Sequence, residues 1–218
     1  MHAFSRHGVT RRKGRDGPKR VLILATKNRG KIRELKALLE ELDVEVGSLL
    51  DYPEMPEVLE DGSSFFENAL KKARAVSEYT GDPVVADDSG LVVECLGGRP
   101  GIHSARYAGP RASDEDNYRK LLEEMRGVPD SERAAAFRCS LVLYHPDGTY
   151  RSFEGMLEGF VAQEPRGTKG FGYDPVFIVP EYGKTVAELP SEVKNRISHR
   201  ARAFQELKKT LKKEARIH

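Results

Sequence analysis

The sequence predicts a mixed α/β protein with a central sheet and helices packed against it. Strand-length apolar runs (VLILA, PVVA, LVVEC, SLVLY, VFIV) alternate with segments whose apolar residues recur at helical spacing. Short turn signals separate them, with no internal repeat and no mid-chain linker. At 218 residues the chain suits one large domain, or one domain with a lobe. No apolar stretch approaches the roughly 20 residues a membrane helix needs, so no membrane role is expected.

The net charge is +2, but seven Lys/Arg and one acid fall in residues 1–20, leaving −4 for the rest. Residues 1–19 therefore read as a basic, flexible extension, and 20–218 as the folded domain. The extension lacks the apolar core of a secretory signal. Nucleic acid is not expected as a partner, because no aromatic is interleaved with the charges of the tail or of Lys208, Lys209, Lys212 and Lys213. Cys95 and Cys139 lie in apolar runs and read as buried free thiols of a reducing, cytoplasmic compartment.

Val21 to Ala25 form the first strand. Ile32, Leu35, Leu38, Leu39 and Leu42 then mark a helix, and "TKNRGK" is the turn between them. "VEV" is a short strand, and residues 47–62, with Pro53 and Pro56, read as a loop. Ser64 and Glu67 form a capping-box pattern opening the next helix. "PVVAD" and "LVVEC" read as two strands, with "DDSG" as the turn between them. A Gly/Pro-rich loop from Gly97 to Pro110 precedes a helix capped by Ser113. "AAAFRCSLVLYH" and "TYRSFEG" form a hairpin around "PDG". "PRGTKGFGYDP" is a second glycine-rich loop before "VFIV". The final helix runs from about Ser198 to Glu214, with Ala201, Phe204, Leu207 and Leu211 as its apolar stripe.

Four stretches can carry chemistry. "ATKNRGK" points helix-start N–H groups, Thr26, Asn28 and Lys31 at one spot, which suits phosphate. Taken alone, it reads slightly better as an ordinary helix start with solvated lysines. "DDSG" supplies carboxylates at the end of apolar strands, where open α/β sheets bind ligands. Magnesium is usually held by one or two carboxylates plus substrate phosphates. Glu57, Glu60 and Asp61 all offer the second carboxylate. "GTKGFGYDP" combines close-approach glycines with Phe171, Tyr173 and Asp174, and is equally readable as a loop packing its aromatics into the core. "KNRISHR" gathers Lys194, His199 and Arg200 at a helix start, which is unfavourable unless anions or polar ligands are near.

With those stretches go "FFENALKKA" and "GGRPGIHSARYAG", and together the six resemble, in order, the Ham1/inosine triphosphatase family, over Val21 to about Leu211. The resemblance implies an elongated mixed sheet flanked by helices, with two lobes around a nucleotide cleft. It implies a Mg²⁺-dependent pyrophosphatase, generally a homodimer, that hydrolyses ITP, dITP or XTP to the monophosphate and pyrophosphate. By motif position Asp88 is the catalytic and metal-binding carboxylate, and Glu60 the other metal-associated acid. Thr26, Asn28 and Lys31 contact phosphate, and Ser89 contacts substrate. Phe171, Gly172, Tyr173 and Asp174, with Lys194, His199 and Arg200, recognise the base and substrate. Asp87 is expected to support the turn or an outer metal shell. Lys169 departs from the family, where a small residue is usual. The alternative reading is a Maf-like pyrophosphatase of pyrimidine or modified triphosphates, against which "SHR" and "FGYDP" weigh.

Overall fold

The computed structural model describes residues 20–41 and 44–214. The basic segment 1–19, and Leu42 of the first helical stripe, lie outside the described residues. In chain order the elements are β1 (Arg20–Leu24), α1 (Arg29–Leu39), β2 (Val44–Ser48), α2 (Phe65–Thr80), β3 (Val84–Val93) and α3 (Asp114–Glu124). There follow β4 (Ala134–Tyr144), β5 (Tyr150–Val161), β6 (Phe177–Val179), β7 (Lys184–Thr185), α4 (Ser191–Ile197) and α5 (His199–Glu214). The strands make one mixed sheet in the order β2-β1-β3-β4-β5-β6-β7. β1 is parallel to β2 and β3, and every other pairing is antiparallel.

"DDSG" is not a turn. It is the middle of β3, one ten-residue strand paired along its whole length with β4, Asp87 opposite Leu141 and Asp88 opposite Ser140. The polar residues suggested a break, but the ladder with β4 runs straight through them. Successive side chains on a strand point to opposite faces. Asp87 and Ser89 therefore face α1 and α5, while Asp88 faces α2. This alternation is the first reason two adjacent carboxylates tolerate one another.

β1 pairs only with Val84 and Val85 of β3, and then ends. Farther along the same strand, Val92 bridges Pro100, Val93 N–H donates to Arg99 O, and Leu91 N–H donates to Ser104 Oγ at 2.9 Å. Between those two partners the edge of β3 from Asp87 to Gly90 borders an opening. Gly90 is required there, because a Cβ would lie 2.4 Å from both Gly101 O and Ser104 Oγ.

The apolar core divides at the same place. At the β1 end, Leu22, Leu35, Val85, Leu141 and Phe204 fill one face of the sheet, and Ile23, Ala73, Val76, Ala86 and Val142 the other. At the far end Leu91, Leu121, Phe137, Val176 and Phe177 form a separate cluster with α3 and β6. These are two lobes sharing β3, β4 and β5.

Several expectations change in detail. α4 is an additional helix: Pro190 precedes it, and Ser198, with ψ 156°, breaks it from α5 after only seven residues. Lys194 belongs to α4, and Ser198 Oγ caps α5 by accepting from Ala201 N–H. Ser64 caps α2 as expected, but the Glu67 carboxylate turns to Ser63 N–H at 2.7 Å instead of closing the box. Residues 47 and 48 extend β2, and Leu49–Asp51 make a 3₁₀ turn before the irregular stretch. Cys139 is buried, but Cys95 is exposed in a 3₁₀ turn just past β3.

α5 lies close on β5 because Gly155 has no side chain. A Cβ there would sit 2.0 Å from His199 O and 2.7 Å from Ala203 N. Gly155→Ala is expected to destabilise by at least about 1–3 kcal/mol, the usual cost of overpacking, because both neighbours are backbone. Urea denaturation checks it, and a stability loss under about 0.5 kcal/mol, the range of neutral surface changes, would contradict this account of the α5 contact.

Candidate active site

The opening beside β3 is the mouth of a cavity of about 450 Å³ between the lobes. All thirteen residues singled out above line it: Thr26, Asn28, Lys31, Glu60, Asp88, Ser89, Phe171, Gly172, Tyr173, Asp174, Lys194, His199 and Arg200. Of the other acids weighed with Glu60, Glu57 also lines it, whereas Asp61 is exposed and pairs with Lys71. Lys169 is not on the wall; its N–H donates to Ala187 O.

At one end stands Asp88, buried, with Oδ2 accepting from Asn68 Nδ2 at 3.0 Å and Oδ1 from Ser89 N–H at 2.9 Å. Burial raises its pKa above the ordinary carboxylate value; Lys72, Lys31 and the Asn68 bond offset this in part, and Glu60 adds to the rise. Lys72, nearly buried on α2, bonds Glu60 Oε1 at 2.9 Å. Burial opposes its charge, but Glu60, Asp87 and Asp88 outweigh that and raise its pKa. Among the described residues no group of three or more His, Cys, Asp or Glu is placed to hold a metal ion.

Asp87 faces the other way; protein cations pair its Oδ2, while its buried Oδ1 has no hydrogen-bond partner among the described residues. Lys31 Nζ and Arg200 Nε both lie 3.0 Å from its Oδ2, and Ser89 Oγ donates to the same atom. Burial opposes its ionisation, yet Lys31, Arg200 and Lys72 hold the carboxyl far below the usual range. Asp87 supports no turn, contrary to expectation; it anchors the cationic side of the cleft.

Arg200 also donates to Ser89 Oγ at 2.8 Å and to Glu34 Oε2 at 2.6 Å. Glu34 in turn pairs Lys194 at 2.6 Å, and Lys194 pairs Asp174. The chain Lys31–Asp87–Arg200–Glu34–Lys194–Asp174 thus ties α1, β3, α4, α5 and the glycine-rich loop together. The anions that make "KNRISHR" tolerable are protein groups. Glu34 was missed because it sits in an ordinary helical pattern, one turn past Lys31.

The turn after β1 is organised by its own side chains. Asn28 Oδ1 caps α1 by accepting from Gly30 N–H at 2.9 Å and Lys31 N–H at 3.1 Å, and Thr26 Oγ1 accepts from Asn28 N–H. The amide Nδ2 of Asn28 and the side chains of Lys27 and Lys31 are what it presents to a ligand.

At the far end the wall is aromatic. Phe171 lies against Gly30, with Lys194 Nζ 4.5 Å from its ring centroid. Asp174 Oδ2 accepts from Phe171 N–H at 2.9 Å, and Asp114 Oδ2 from Gly172 N–H at 2.7 Å, so both carboxylates shape the loop. Tyr173 is buried and donates to Ser104 O at 2.9 Å. His199 is buried and stacks on Phe137 at 4.9 Å, with Nδ1 lacking any hydrogen-bond partner. Burial, with Arg200 and Lys194 beside it, pushes its pKa well below the ordinary value, so the imidazole is neutral at pH 7.

Fold and site together define a two-lobed α/β protein with a ligand cleft, carboxylates and lysines at one end and, at the other, an aromatic pocket with a neutral histidine backed by the Lys194–Glu34–Arg200 ion pairs. The chain belongs to the Ham1 family, whose model matches residues 22–210. It is 55% identical over 187 residues to the dITP/XTP pyrophosphatase of Geobacter sulfurreducens, covering 86% of this chain and 94% of that one. It is 48% identical to the dITP/XTP pyrophosphatase of Bacillus subtilis, covering 87% and 96%. Among solved structures, a HAM1 protein from Coxiella burnetii superposes with a TM-score of 0.81 at 40% identity, covering 89% of this chain and 99% of that one. The Staphylococcus aureus Ham1 protein gives 0.80 at 40% identity, covering 89% and 100%. These matches do not favour the Maf-like alternative.

Proposed function

We propose that this protein hydrolyses non-standard purine nucleoside triphosphates (ITP, dITP and XTP) to the monophosphate and pyrophosphate. The observation that carries the reading is the two-ended cleft. Asp88, Lys31 and Lys72 at one end suit a reacting phosphate, while neutral His199 and Phe171 at the other suit an uncharged purine. The names of the relatives support the same chemistry.

In this reading Asp88 is the general base, taking a proton from the attacking water. Its raised pKa gives it a better proton affinity than an exposed aspartate has. Asn68 and Ser89 N–H fix its two oxygens, so the base is oriented before substrate arrives. Lys31, Lys72 and Asn28 Nδ2 offset the charge of the phosphates. Asp88 and Glu60 are hard oxygen donors, one or two of which suffice for Mg²⁺ shared with substrate phosphates, so they fit as its protein ligands. When bound, that ion supplies neutralisation of phosphate charge. A ring N–H of His199 answers the 6-keto oxygen of hypoxanthine or xanthine, a partner that the 6-amino group of adenine does not offer. The buried Lys194–Glu34–Arg200–Asp87 chain holds that pocket in place.

The reading includes cytoplasmic action, where free nucleotides are, and a homodimer, which light scattering on the purified protein tests. Pyrophosphate release from ITP, dITP, XTP, ATP and GTP, with and without Mg²⁺, tests the activity. ITP, dITP or XTP should exceed ATP, and activity should vanish on chelation. An ATP-first order would sink the reading. In the pH profile of kcat/KM, the acidic limb should lie above the roughly pH 4 of an ordinary carboxylate, because Asp88 must be ionised and its pKa is raised. His199 should add no limb near pH 6.5, since it stays neutral.

A further inference from the structure

The cations on the cavity wall are unequal. Lys31, Lys72, Lys194 and Arg200 each have a carboxylate partner. Lys27 and Arg106 have none among the described residues. Lys27 is exposed on the turn after β1. Arg106 comes from the opposite lobe, at the end of the 3₁₀ turn Gly101–Arg106. Its Nη2 donates across the cleft to the backbone carbonyl of Glu60 at 3.3 Å, beside the Glu60–Lys72 pair. That is the carboxylate end of the cavity, away from Phe171 and His199.

The turn that carries Arg106 is held firmly. Ser104 Oγ donates to Gly101 O at 2.6 Å and accepts from Leu91 N–H, and Tyr173 OH donates to Ser104 O. The turn packs on Gly90, whose missing side chain allows the approach. An arginine on a fixed support, without an anion of its own, held at the mouth by one long bond to a carbonyl, is poised to exchange that carbonyl for a phosphate oxygen. A charged group gains far more from an anion than from a neutral carbonyl.

We propose that Arg106 is a substrate-binding residue for the phosphates beyond the cleaved bond, and so contacts the pyrophosphate product. It would clamp that tail from the lobe opposite Lys31 and, in releasing Glu60 O, couple tail binding to the Glu60 segment. This rests on the reading above, and it adds a contact that the turn after β1 and the "DDSG" strand do not supply.

The test is product inhibition of ITP hydrolysis by inorganic pyrophosphate and, separately, by IMP, in wild type, Arg106→Gln and Arg106→Lys. Gln retains an N–H donor and loses the charge; Lys retains the charge. Arg106→Gln is expected to raise the inhibition constant for pyrophosphate at least about tenfold, the scale of a lost charged hydrogen bond. It should leave that for IMP within about twofold, and Lys should recover most of the loss. Unchanged melting temperatures would accompany this, because Arg106 is exposed. Equal losses for pyrophosphate and IMP, or no loss for either, would overturn the assignment. If wild type releases no pyrophosphate from ITP, the functional reading itself has failed, and that is seen before any variant is compared.

Discussion

Asp88→Asn is expected to lower kcat for ITP by at least about a hundredfold while leaving the protein about as stable as wild type. The first half follows from removing a general base, worth about 10²–10⁴ in rate. The second follows from the sign of the pKa shift. The folded-state pKa of Asp88 is raised above its unfolded value by burial. Protonation therefore favours the folded state, and that contribution is lost as the pH rises through the folded pKa. At pH 7 the ionised carboxylate is a destabilising element, which the amide removes. Asn keeps an acceptor for only one of the two donors, Asn68 Nδ2 and Ser89 N–H, and that lost bond offsets the gain, while the backbone ladder with β4 is untouched. Thermal melts at pH 7 and steady-state kinetics on one preparation check both halves. Turnover above a tenth of wild type, or a fall of several degrees in melting temperature, would place Asp88 among supporting residues.

Asp87 makes the contrast. Its pKa is held far below the usual range by Lys31, Arg200 and Lys72, so its charge stabilises the fold at neutral pH and fails only in strong acid. Two neighbours in sequence thus have opposite electrostatic character, one poised for proton transfer and one a structural anion. Nothing in the letters "DD" distinguishes them. The alternation of a strand does, and that needs the strand to be recognised as continuous.

This is the general pattern of what could be read in advance. The apolar runs and the 3.6-residue stripes identified β1, α1, β4 and α5, because each buries one face or one stripe, and the capping residues Ser64 and Ser113 identified α2 and α3. The motifs converged on one cavity, since all thirteen named residues line it. What escaped was polar or short. β3 was split at "DDSG" because its centre faces a cleft and carries polar residues that elsewhere mark turns. α4 went unpredicted because seven residues leave little periodicity to detect. Glu34, Asn68, Lys72 and Arg106 lie in helical or loop patterns where a charged or amide residue is ordinary. Only the fold shows that they converge on Asp87, Asp88, Glu60 and Lys194.

The same geometry sharpens the choice of residue for testing base selection. Sequence placed His199 and Arg200 together as donors to the base, but every nitrogen of the Arg200 guanidinium is committed, to Asp87, Glu34 and Ser89. Arg200→Ala would leave buried carboxylates short of a partner and would lower activity through the fold. His199 is the cleaner target. It is neutral, its Nδ1 has no protein partner, and its ring stacks on Phe137 at 4.9 Å. His199→Phe keeps an aromatic ring there and removes the polar edge. We expect kcat/KM for ITP to fall and that for ATP to change little, so the ITP/ATP ratio drops at least about tenfold. That is the scale of leaving the 6-keto oxygen without its donor. The variant carries an independent signature in its stability. Wild-type His199 has a folded pKa well below the unfolded value of about 6.5. Below that pH the unfolded chain takes a proton that the folded one refuses, so wild type loses stability as the pH falls through 6.5. His199→Phe lacks that loss, and its melting temperature should decline less than wild type's between pH 7.5 and 5.5. Equal falls in activity on both triphosphates, together with an unaltered stability profile, would move His199 to the phosphates and leave Phe171 as the residue that meets the base.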